Sequence, residues 1–295
     1  MAQASGTTVL LGLEERESNL HGRGLFATRA IPGGSLIIAE PPILKITMNE
    51  TQFGFDAVWR NFQLLSDQDK AMYLSLSPYG VEVDDEESFL ADIKDDETKK
   101  LAKLVASIWK FHSREVCVGN IEGSCDADVC GMGLFPQQRH MNHSCTPNAC
   151  LEDLDGTGVH RVVALRDLAP GEEVVWSYMP WHMLLSTKQD RANRFLFECK
   201  CVGCNASDQE LSDFRRVRAR KIFFGFDHCF VRNEESPEDA IAPKNFGEAI
   251  ELGMECLELL EQENIFGEPR ERAHHMISWS SQMADEYGAH EDNLE

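Results

Sequence analysis

The feature that most constrains this chain is a group of three cysteines within six residues, in the sequence FECKCVGC. Cys199, Cys201 and Cys204 have the spacing C-x-C-x2-C, and thiolates this close together suit Zn²⁺, which accepts sulfur ligands in a tetrahedron. Three unrelated cysteines in one loop are the alternative, but free thiols crowded in this way are open to oxidation. Because a structural zinc site needs four ligands, the chain has to bring one more from a distant segment.

The fourth ligand has to come from the remaining cysteines, which are Cys117, Cys125, Cys130, Cys145, Cys150, Cys229 and Cys256. Disulfides would suit a secreted protein, but the start MAQASGTTVLLGLEERE lacks the basic beginning and long apolar run of a signal peptide. No stretch approaches the roughly 18 uninterrupted apolar residues of a membrane span. We therefore expect a soluble intracellular protein, in the nucleus or cytoplasm, whose cysteines serve metal or thiol chemistry.

The charge balance is strongly acidic, with 28 basic against 50 acidic side chains and a formal net charge of -22. Binding of nucleic acid depends on lysines and arginines that displace counterions, so we expect no direct contact with nucleic acid. An acidic surface attracts a basic partner, although many acidic surfaces serve only solubility. We expect a monomer that does not bind membranes and whose protein partner is basic.

Hydrophobic patterns predict a β-rich beginning and a helical middle. Residues 18–46 alternate short apolar runs with glycine and proline, as a pair of strands linked by turns would. From about 53 to 111 the apolar spacing is helical. Strand signals return at 131–136 and at 160–180, where β-branched and aromatic residues flank a predicted turn at 169–171.

After Cys204 the pattern becomes helical again, at 212–226 and 246–266. In the second of these segments, apolar residues fall along one helical face, which we interpret as a packing surface and not as a cofactor site. These residues are Ile250, Met254, Leu257 and Leu260. Two or three such helices could stack as a helical hairpin.

A polar run at 142–148, NHSCTPN, fits neither a hydrophobic strand nor a helix interior. A surface turn set by Pro147 is the simplest interpretation. A catalytic dyad of His143 and Cys145 is another, because residues two apart on an extended segment point the same way. That dyad has no visible third group to orient it, and a metal-bound thiolate could not act as nucleophile.

Five motifs together resemble the SET-domain protein lysine methyltransferases, most closely the SMYD-like group and its fungal relatives. In order they are HGRGLFA at 21–27, GMGLFP at 131–136, NHSCTPN at 142–148, GEEVVWSY at 171–178 and FECKCVGC at 197–204. The resemblance runs from about Leu13 to Cys204. No cysteine group has the spacing of the family's MYND zinc finger, and the C-terminal helices end early, as in a short or truncated member.

The resemblance implies an α+β protein with a β-rich SET fold and pseudoknot. The SET domain would cover 1–204, with a helical insertion at about 53–111 and a zinc-bound post-SET segment at 197–204, followed by a C-terminal helical region at 205–295. The implied activity is S-adenosylmethionine-dependent N-methylation of lysine in a protein such as a histone or a ribosomal protein. A non-catalytic SET module that acts as a zinc-stabilised adaptor is the alternative.

The resemblance also assigns residues. Cys145 becomes the fourth zinc ligand beside Cys199, Cys201 and Cys204. Tyr178 would lie beside the transferred methyl group, with Phe195 as a second catalytic position, whereas Trp176 is assigned to core packing. The cofactor-binding residues would be His21, Gly22, Arg23, Asn142, His143, Tyr178 and Phe197.

Two positions depart from the family pattern. Many relatives have Tyr where this chain has Phe195, and because phenylalanine offers no acceptor to hold the amine, we expect di- or trimethylation. Near FHSREV, where relatives carry an Asn that contacts the cofactor, this chain has His112.

Overall fold

The structure of the protein is a computed structural model that describes residues 9–10, 12–47, 54–78, 83–84, 88–117, 130–152, 158–231 and 239–291. Within these residues the chain forms eleven β-strands and eight α-helices. The predicted α+β class is confirmed. Among the described helices, none combines the length and the apolar character needed to cross a bilayer.

The strands form three small sheets. One contains, in spatial order, β1 (Val9–Leu10), β4 (Leu36–Glu40), β10 (His160–Ala164) and β9 (Ala149–Glu152). Another contains β2 (Leu13–Glu17), β3 (Arg23–Ala27), β11 (Glu173–Trp176) and β8 (Asn142–His143). The smallest contains β5 (Leu44–Thr47), β7 (Cys130–Leu134) and β6 (Ser113–Cys117).

The prediction of one pair of linked strands at 18–46 was wrong. This segment contains β3, β4 and β5, and each belongs to a different sheet. The reason is that each strand finds a distant partner: β3 pairs with β11, β4 with β10, and β5 with β7. The glycine and proline residues between them therefore turn the chain from one sheet to the next.

The short strand β8 pairs with β11 in parallel, with Asn142 opposite Val175 and His143 opposite Trp176. The chain then continues beside β11, because the backbone N–H of Asn148 donates to the carbonyl oxygen of Val175. The Asn148 side chain accepts from the N–H of Val175 at 2.8 Å. This ladder fixes the polar run at 142–148, and 142–145 and 147–149 are buried.

Three helices lie in the segment predicted to be helical. They are α1 (Phe55–Gln63), α2 (Asp67–Leu74) and α3 (Asp96–His112). Ser66 and Asp95 begin α2 and α3 by accepting backbone N–H groups with their side chains, as capping residues do. The three helices and the smallest sheet share a hydrophobic core that includes Tyr73 and Ile108.

Two short helices, α4 (Trp181–Leu184) and α5 (Lys188–Ala192), lead to the cysteine-rich segment. The C-terminal helices α6 (Gln209–Phe226), α7 (Phe246–Gln262) and α8 (Glu268–Glu291) follow it and share a separate core. This arrangement matches the predicted helical character of the C-terminal region.

The predicted packing face of α7 is partly correct. Of the four residues assigned to it, Leu260 is buried and Leu257 packs against the same core, whereas Met254 is 55% exposed. The buried face also carries Ala249, Leu252, Gly253 and Cys256, which were not assigned to it. A Cβ at Gly253 would lie only 2.6 Å from a carbon of Ile277, so a glycine lies where α8 approaches closely.

Candidate active site and metal centre

Four cysteine sulfurs meet at one point of the fold. The Sγ atoms of Cys145, Cys199, Cys201 and Cys204 all lie within 4.8 Å of one another. The distance between the Sγ atoms of Cys145 and Cys204 is 3.6 Å, far longer than the roughly 2.05 Å of a disulfide. The structure thus brings Cys145 to the three cysteines of FECKCVGC across more than fifty residues of sequence. Of the other six cysteines, Cys125 lies outside the described residues.

The geometry of the four sulfurs fits Zn²⁺. A tetrahedral site with Zn–S bonds of about 2.3 Å has sulfur–sulfur edges of about 3.8 Å, which agrees with the observed cluster. Hydrogen bonds among the four thiols lower the pKa of Cys201 and bring that of Cys204 to about 7, whereas the pKa values of Cys145 and Cys199 are raised. A donor set of four cysteines is typical of a structural zinc site.

His143 connects this cluster to the neighbouring strand. Its ring is buried, and burial lowers the pKa of His143 to about 4, so the imidazole is neutral at physiological pH. The Nδ1 atom accepts a hydrogen bond from the backbone N–H of Tyr178, which places the ring proton on Nε2. That Nε2 lies 3.3 Å from the sulfur of Cys145 and donates to it.

A cavity of about 510 Å³ opens next to the cysteine cluster. Its walls include the turn at 21–23, the strand β8 and the segment that carries Phe197. All residues predicted to bind the cofactor line it: His21, Gly22, Arg23, Asn142, His143, Tyr178 and Phe197. The rings of His21 and Phe197 lie at a centroid distance of 5.5 Å and are tilted by 50°. A volume of this size is in the usual range for a small-molecule site.

Asn142 is held firmly in the cavity wall. Its side-chain amide donates to the carbonyl oxygen of Arg23 at 3.0 Å and to a carboxylate oxygen of Glu173 at 2.7 Å. These bonds join β8 to β3 and β11, so the amide has a fixed direction. Its carbonyl oxygen is the atom that this arrangement leaves to accept a hydrogen bond from a ligand.

Tyr178 is 39% exposed at the cavity surface. Its hydroxyl donates to the backbone carbonyl oxygen of Met141 at 2.8 Å. The indole N–H of Trp176 donates to the same oxygen at 3.3 Å, and the two rings lie edge to face at a centroid distance of 5.4 Å. Trp176, which was predicted to be a core residue, therefore also lines the cavity.

Phe195, predicted as a second catalytic position, lies behind two residues of the cavity wall. It is half-buried and is not among the residues that line the cavity. Its ring stacks on Phe197 at a centroid distance of 4.8 Å, lies tilted against His143 at 4.5 Å, and packs against the cysteine cluster. The catalytic role of Phe195 stays a prediction.

The wall opposite the cysteines was not predicted. It is formed by the helical insertion and the strand after it, through Ser75, Ser77, Phe111, His112 and Arg114. The Nε2 atom of His112 lies 2.7 Å from the carbonyl oxygen of Ser77, and burial lowers the pKa of His112 to about 4. His112 is therefore a neutral hydrogen-bonding group in the cavity wall.

Arg114 is the most unusual residue of that wall. Its guanidinium carbon lies 5.8 Å and 5.9 Å from the ring centroids of Trp176 and Tyr178, and burial lowers the pKa of Arg114. One of its nitrogens donates to the carbonyl oxygens of Phe111 and Ser113. No described carboxylate forms an ion pair with it. The cavity thus holds a fixed positive charge beside Tyr178, in a protein whose net charge is -22.

Comparison with known families agrees with this geometry. The family model of the SET domain matches residues 22–179, which is more than half of the chain. The chain belongs to the SET-domain family. The matched range contains β3, the helical insertion, the 142–148 segment and Tyr178. The cysteines of FECKCVGC lie beyond this range, after α4 and α5.

Several curated proteins are similar to this SET-domain chain. N-lysine methyltransferase SMYD2 of Homo sapiens is 28% identical over 149 residues, which is 46% of this chain and 33% of that protein. Histone-lysine N-methyltransferase SMYD3 of Mus musculus is 28% identical over 121 residues, covering 39% and 27%. Protein-lysine N-trimethyltransferase SMYD5 of Mus musculus is 38% identical over 80 residues, covering 26% and 19%. The match to the SET-domain chain spans a third or less of each of these relatives.

Proposed function

We propose that this chain is an S-adenosylmethionine-dependent protein lysine N-methyltransferase. The observation that carries the proposal is the convergence of Asn142, His143, Phe197 and Tyr178 on one cavity, beside four cysteines that fit zinc. Membership of the SET-domain family and similarity to proteins named as lysine methyltransferases support it.

The zinc centre has a structural role in this proposal. The metal would be held by Cys145, Cys199, Cys201 and Cys204, with no ligand position left open for a substrate. Cys145 follows the residues of β8 that face the cavity, and Cys199 follows Phe197. Tying these two segments together holds Asn142 and Phe197 on either side of the same space.

The cofactor would occupy the cavity and supply a methyl group already activated on a positively charged sulfur. Phe197 and His21 offer ring faces for an adenine, and the carbonyl oxygen of Asn142 offers an acceptor for an amino group. The hydroxyl of Tyr178, which the carbonyl oxygen of Met141 holds in place, is the polar group that would orient the acceptor nitrogen. The role of these residues is alignment, since placing two reactants in line accounts for much of such a reaction.

The acceptor lysine has to lose a proton before it can react, because its reference pKa is about 10.4. The aromatic rings of Trp176 and Tyr178 would exclude water from the lysine ammonium and so disfavour it. Arg114 adds like-charge repulsion at a guanidinium-to-ring distance of 5.9 Å from Tyr178. Both effects favour the neutral amine, so the proton can leave to water without a dedicated base.

The proposed substrate is a lysine-containing protein, and the acidic body of the chain would attract a basic one. A protein lysine also fits the geometry, because a slim aliphatic chain can reach a methyl group at the bottom of a cavity. Transfer of two or three methyl groups stays a prediction, because Phe195 has no hydroxyl to hold the amine.

A non-catalytic adaptor is the second possibility, and His112 is the observation that favours it. Its ring occupies the cavity wall at the position where relatives were expected to carry an asparagine toward the cofactor. Titration calorimetry with S-adenosylmethionine separates the two functions, because an adaptor without a working pocket gives no binding heat.

The proposal is tested by incubating the protein with labelled S-adenosylmethionine and an extract of lysine-rich proteins. We expect label in protein with the wild type and at least about 100-fold less with Tyr178→Phe. Equal incorporation by both, or none by a wild type that binds the cofactor, would contradict the assignment.

A further inference from the structure

Two arginine side chains with no exposed surface lie next to the cysteine cluster. Arg191 belongs to α5 and Arg216 to α6, and both are 0% exposed. Arginine is almost never fully buried unless it is paired, because removing a charge from water is costly. Their surroundings should therefore hold enough negative charge to balance them.

Arg216 connects three parts of the chain. One terminal nitrogen donates to the carbonyl oxygens of Cys145 and Leu184, at 3.0 and 2.9 Å. Its Nε donates to a carboxylate oxygen of Glu263, just after α7, at 2.9 Å. Burial and the like charge of Arg191 lower the pKa of Arg216, and the negative charge of Glu263 opposes this shift. The guanidinium thus lies between the C-terminal helices and the backbone of a proposed zinc ligand.

Arg191 approaches the cluster from the other side. Its terminal nitrogens donate to the carbonyl oxygens of Ser186 and Gly203. Gly203 lies between two proposed ligands, Cys201 and Cys204. The nearest described carboxylate is that of Asp213, at 3.9 Å, which is long for a charged hydrogen bond.

The described carboxylates do not fully pair the two cations. The remaining terminal nitrogen of Arg216 and the Nε of Arg191 are buried without a hydrogen-bond partner. A Cβ on Gly203 would lie 2.9 Å from that Arg216 nitrogen and 3.4 Å from the Cβ of Cys145. The unpaired donor is therefore directed at the cysteine segment, and only a glycine at 203 leaves room for it.

A metal centre of four thiolates supplies the missing charge. Four thiolates around Zn²⁺ carry a net double negative charge, and this charge together with that of Glu263 balances Arg191, Arg216 and Arg215, which also pairs with Glu263. Groups around the ligands commonly tune metal affinity, and their loss often costs 10- to 100-fold. We propose that Arg191 and Arg216 are positioning residues that neutralise the four-thiolate zinc centre, and that Arg216 and Glu263 fasten this centre to the C-terminal helices.

This inference rests on the proposed zinc site, so its test measures metal binding and not methyl transfer. The full chain, loaded with zinc, is titrated with a colorimetric chelator that competes for the metal. Arg216→Met should lose zinc at a chelator concentration about 10- to 100-fold lower than the wild type needs. Arg216→Lys keeps the positive charge. It should lose zinc at a chelator concentration within a few-fold of the one that the wild type needs.

Arg218→Met is the matched control. Arg218 lies on the same helix and pairs with Glu255 of α7, as Arg216 pairs with Glu263, but it is partly exposed and has no contact with the cysteine segment. Its variant should hold zinc like the wild type. If Arg216→Met does not fold, Arg191→Met carries the same test, with the same expected loss against Arg191→Lys.

A folded Arg216→Met or Arg191→Met protein that holds zinc as tightly as the wild type would overturn the inference. An equal loss in the Arg218→Met control would also overturn it, because the effect would then be general destabilisation. A wild type that holds no zinc would refute the metal centre itself. Methyl transfer plays no part in these measurements, so failure of the enzymatic proposal remains a separate result.

Discussion

The backbone N–H of Tyr178 donates a hydrogen bond of 3.0 Å to the Nδ1 atom of His143. The opposite nitrogen of the same ring lies 3.3 Å from the sulfur of Cys145. One neutral imidazole therefore spans the distance between the cysteine cluster and the tyrosine beside the proposed reaction. A change in the metal centre should therefore alter the position of Tyr178 through this ring.

His143→Ala should weaken both functions of the ring. Loss of the donor to Cys145 is expected to lower zinc affinity about 10-fold or more, and loss of the acceptor for Tyr178 should lower methyl transfer. Chelator competition and labelled-methyl incorporation measure the two effects. His182→Gln, a histidine that does not line the cavity, should change neither. Unchanged zinc affinity in His143→Ala would remove the proposed connection.

Tyr178→Phe should lower kcat by at least about 100-fold, while S-adenosylmethionine binding stays within a few-fold of the wild type. The reason is that the hydroxyl would orient the acceptor nitrogen, whereas the ring of residue 178, which this variant keeps, lines the cofactor cavity. Tyr73→Phe is the contrasting variant, because the buried Tyr73 hydroxyl donates to the carbonyl oxygen of Val105 inside the helical insertion. It should cost about 1–2 kcal/mol of unfolding free energy and leave kcat unchanged. An unchanged kcat in Tyr178→Phe, or a large loss of kcat in Tyr73→Phe, would contradict these assignments.

His112 should make the protein sensitive to mild acid. Its pKa is about 4 in the folded chain, against an ordinary value of 6.5, because burial disfavours the charged form. At pH 5 the unfolded chain binds a proton that the folded chain does not, so stability is present above pH 6.5 and falls as pH drops toward 4. Because His112 is partly exposed, we expect the free energy of unfolding to fall by about 1–2 kcal/mol between pH 7.5 and pH 5. Denaturant unfolding of His112→Asn at pH 7.5 and pH 5 should show a smaller loss, and an equal loss would contradict this role.

Arg114 should influence the pH profile of the reaction. Replacing it with Met removes the repulsion of the bound lysine ammonium, so the apparent pKa on the acidic limb of kcat, which reports the enzyme–substrate complex, should rise by about one unit. Arg114→Lys keeps the charge and should leave the limb near its wild-type position. His112, His140 and Arg139 also line this cavity and are unchanged in both variants, so the difference between the variants reports the charge at 114. An acidic limb at the same pH in Arg114→Met would argue against this effect.

The sequence was most informative where chemistry restricts spacing. A zinc site needs four ligands, so FECKCVGC required a distant cysteine, and the motif resemblance selected Cys145, which the structure brings to the cluster. Helix starts were also predictable, since Ser66 caps α2 through its own side chain. These features depend on few residues and on local geometry.

Other features depend on which distant surfaces meet, which a single sequence does not state. Arg191 and Arg216 resemble the surface arginines around them until α5, α6 and Glu263 enclose them. The cavity wall with Ser77, His112 and Arg114 forms only when the helical insertion folds against the SET domain. The buried face of α7 was only partly predicted, because the close approach of α8 at Gly253 depends on which helices meet.

The most direct test of the central claim is the affinity for S-adenosylmethionine before and after metal removal, measured by titration calorimetry on one preparation. We expect binding by the zinc-loaded protein, loss of the binding heat after stripping with a chelator, and recovery when zinc is restored. Equal affinity in the stripped protein would show that the four cysteines do not assemble the cofactor cavity, and would contradict the central claim.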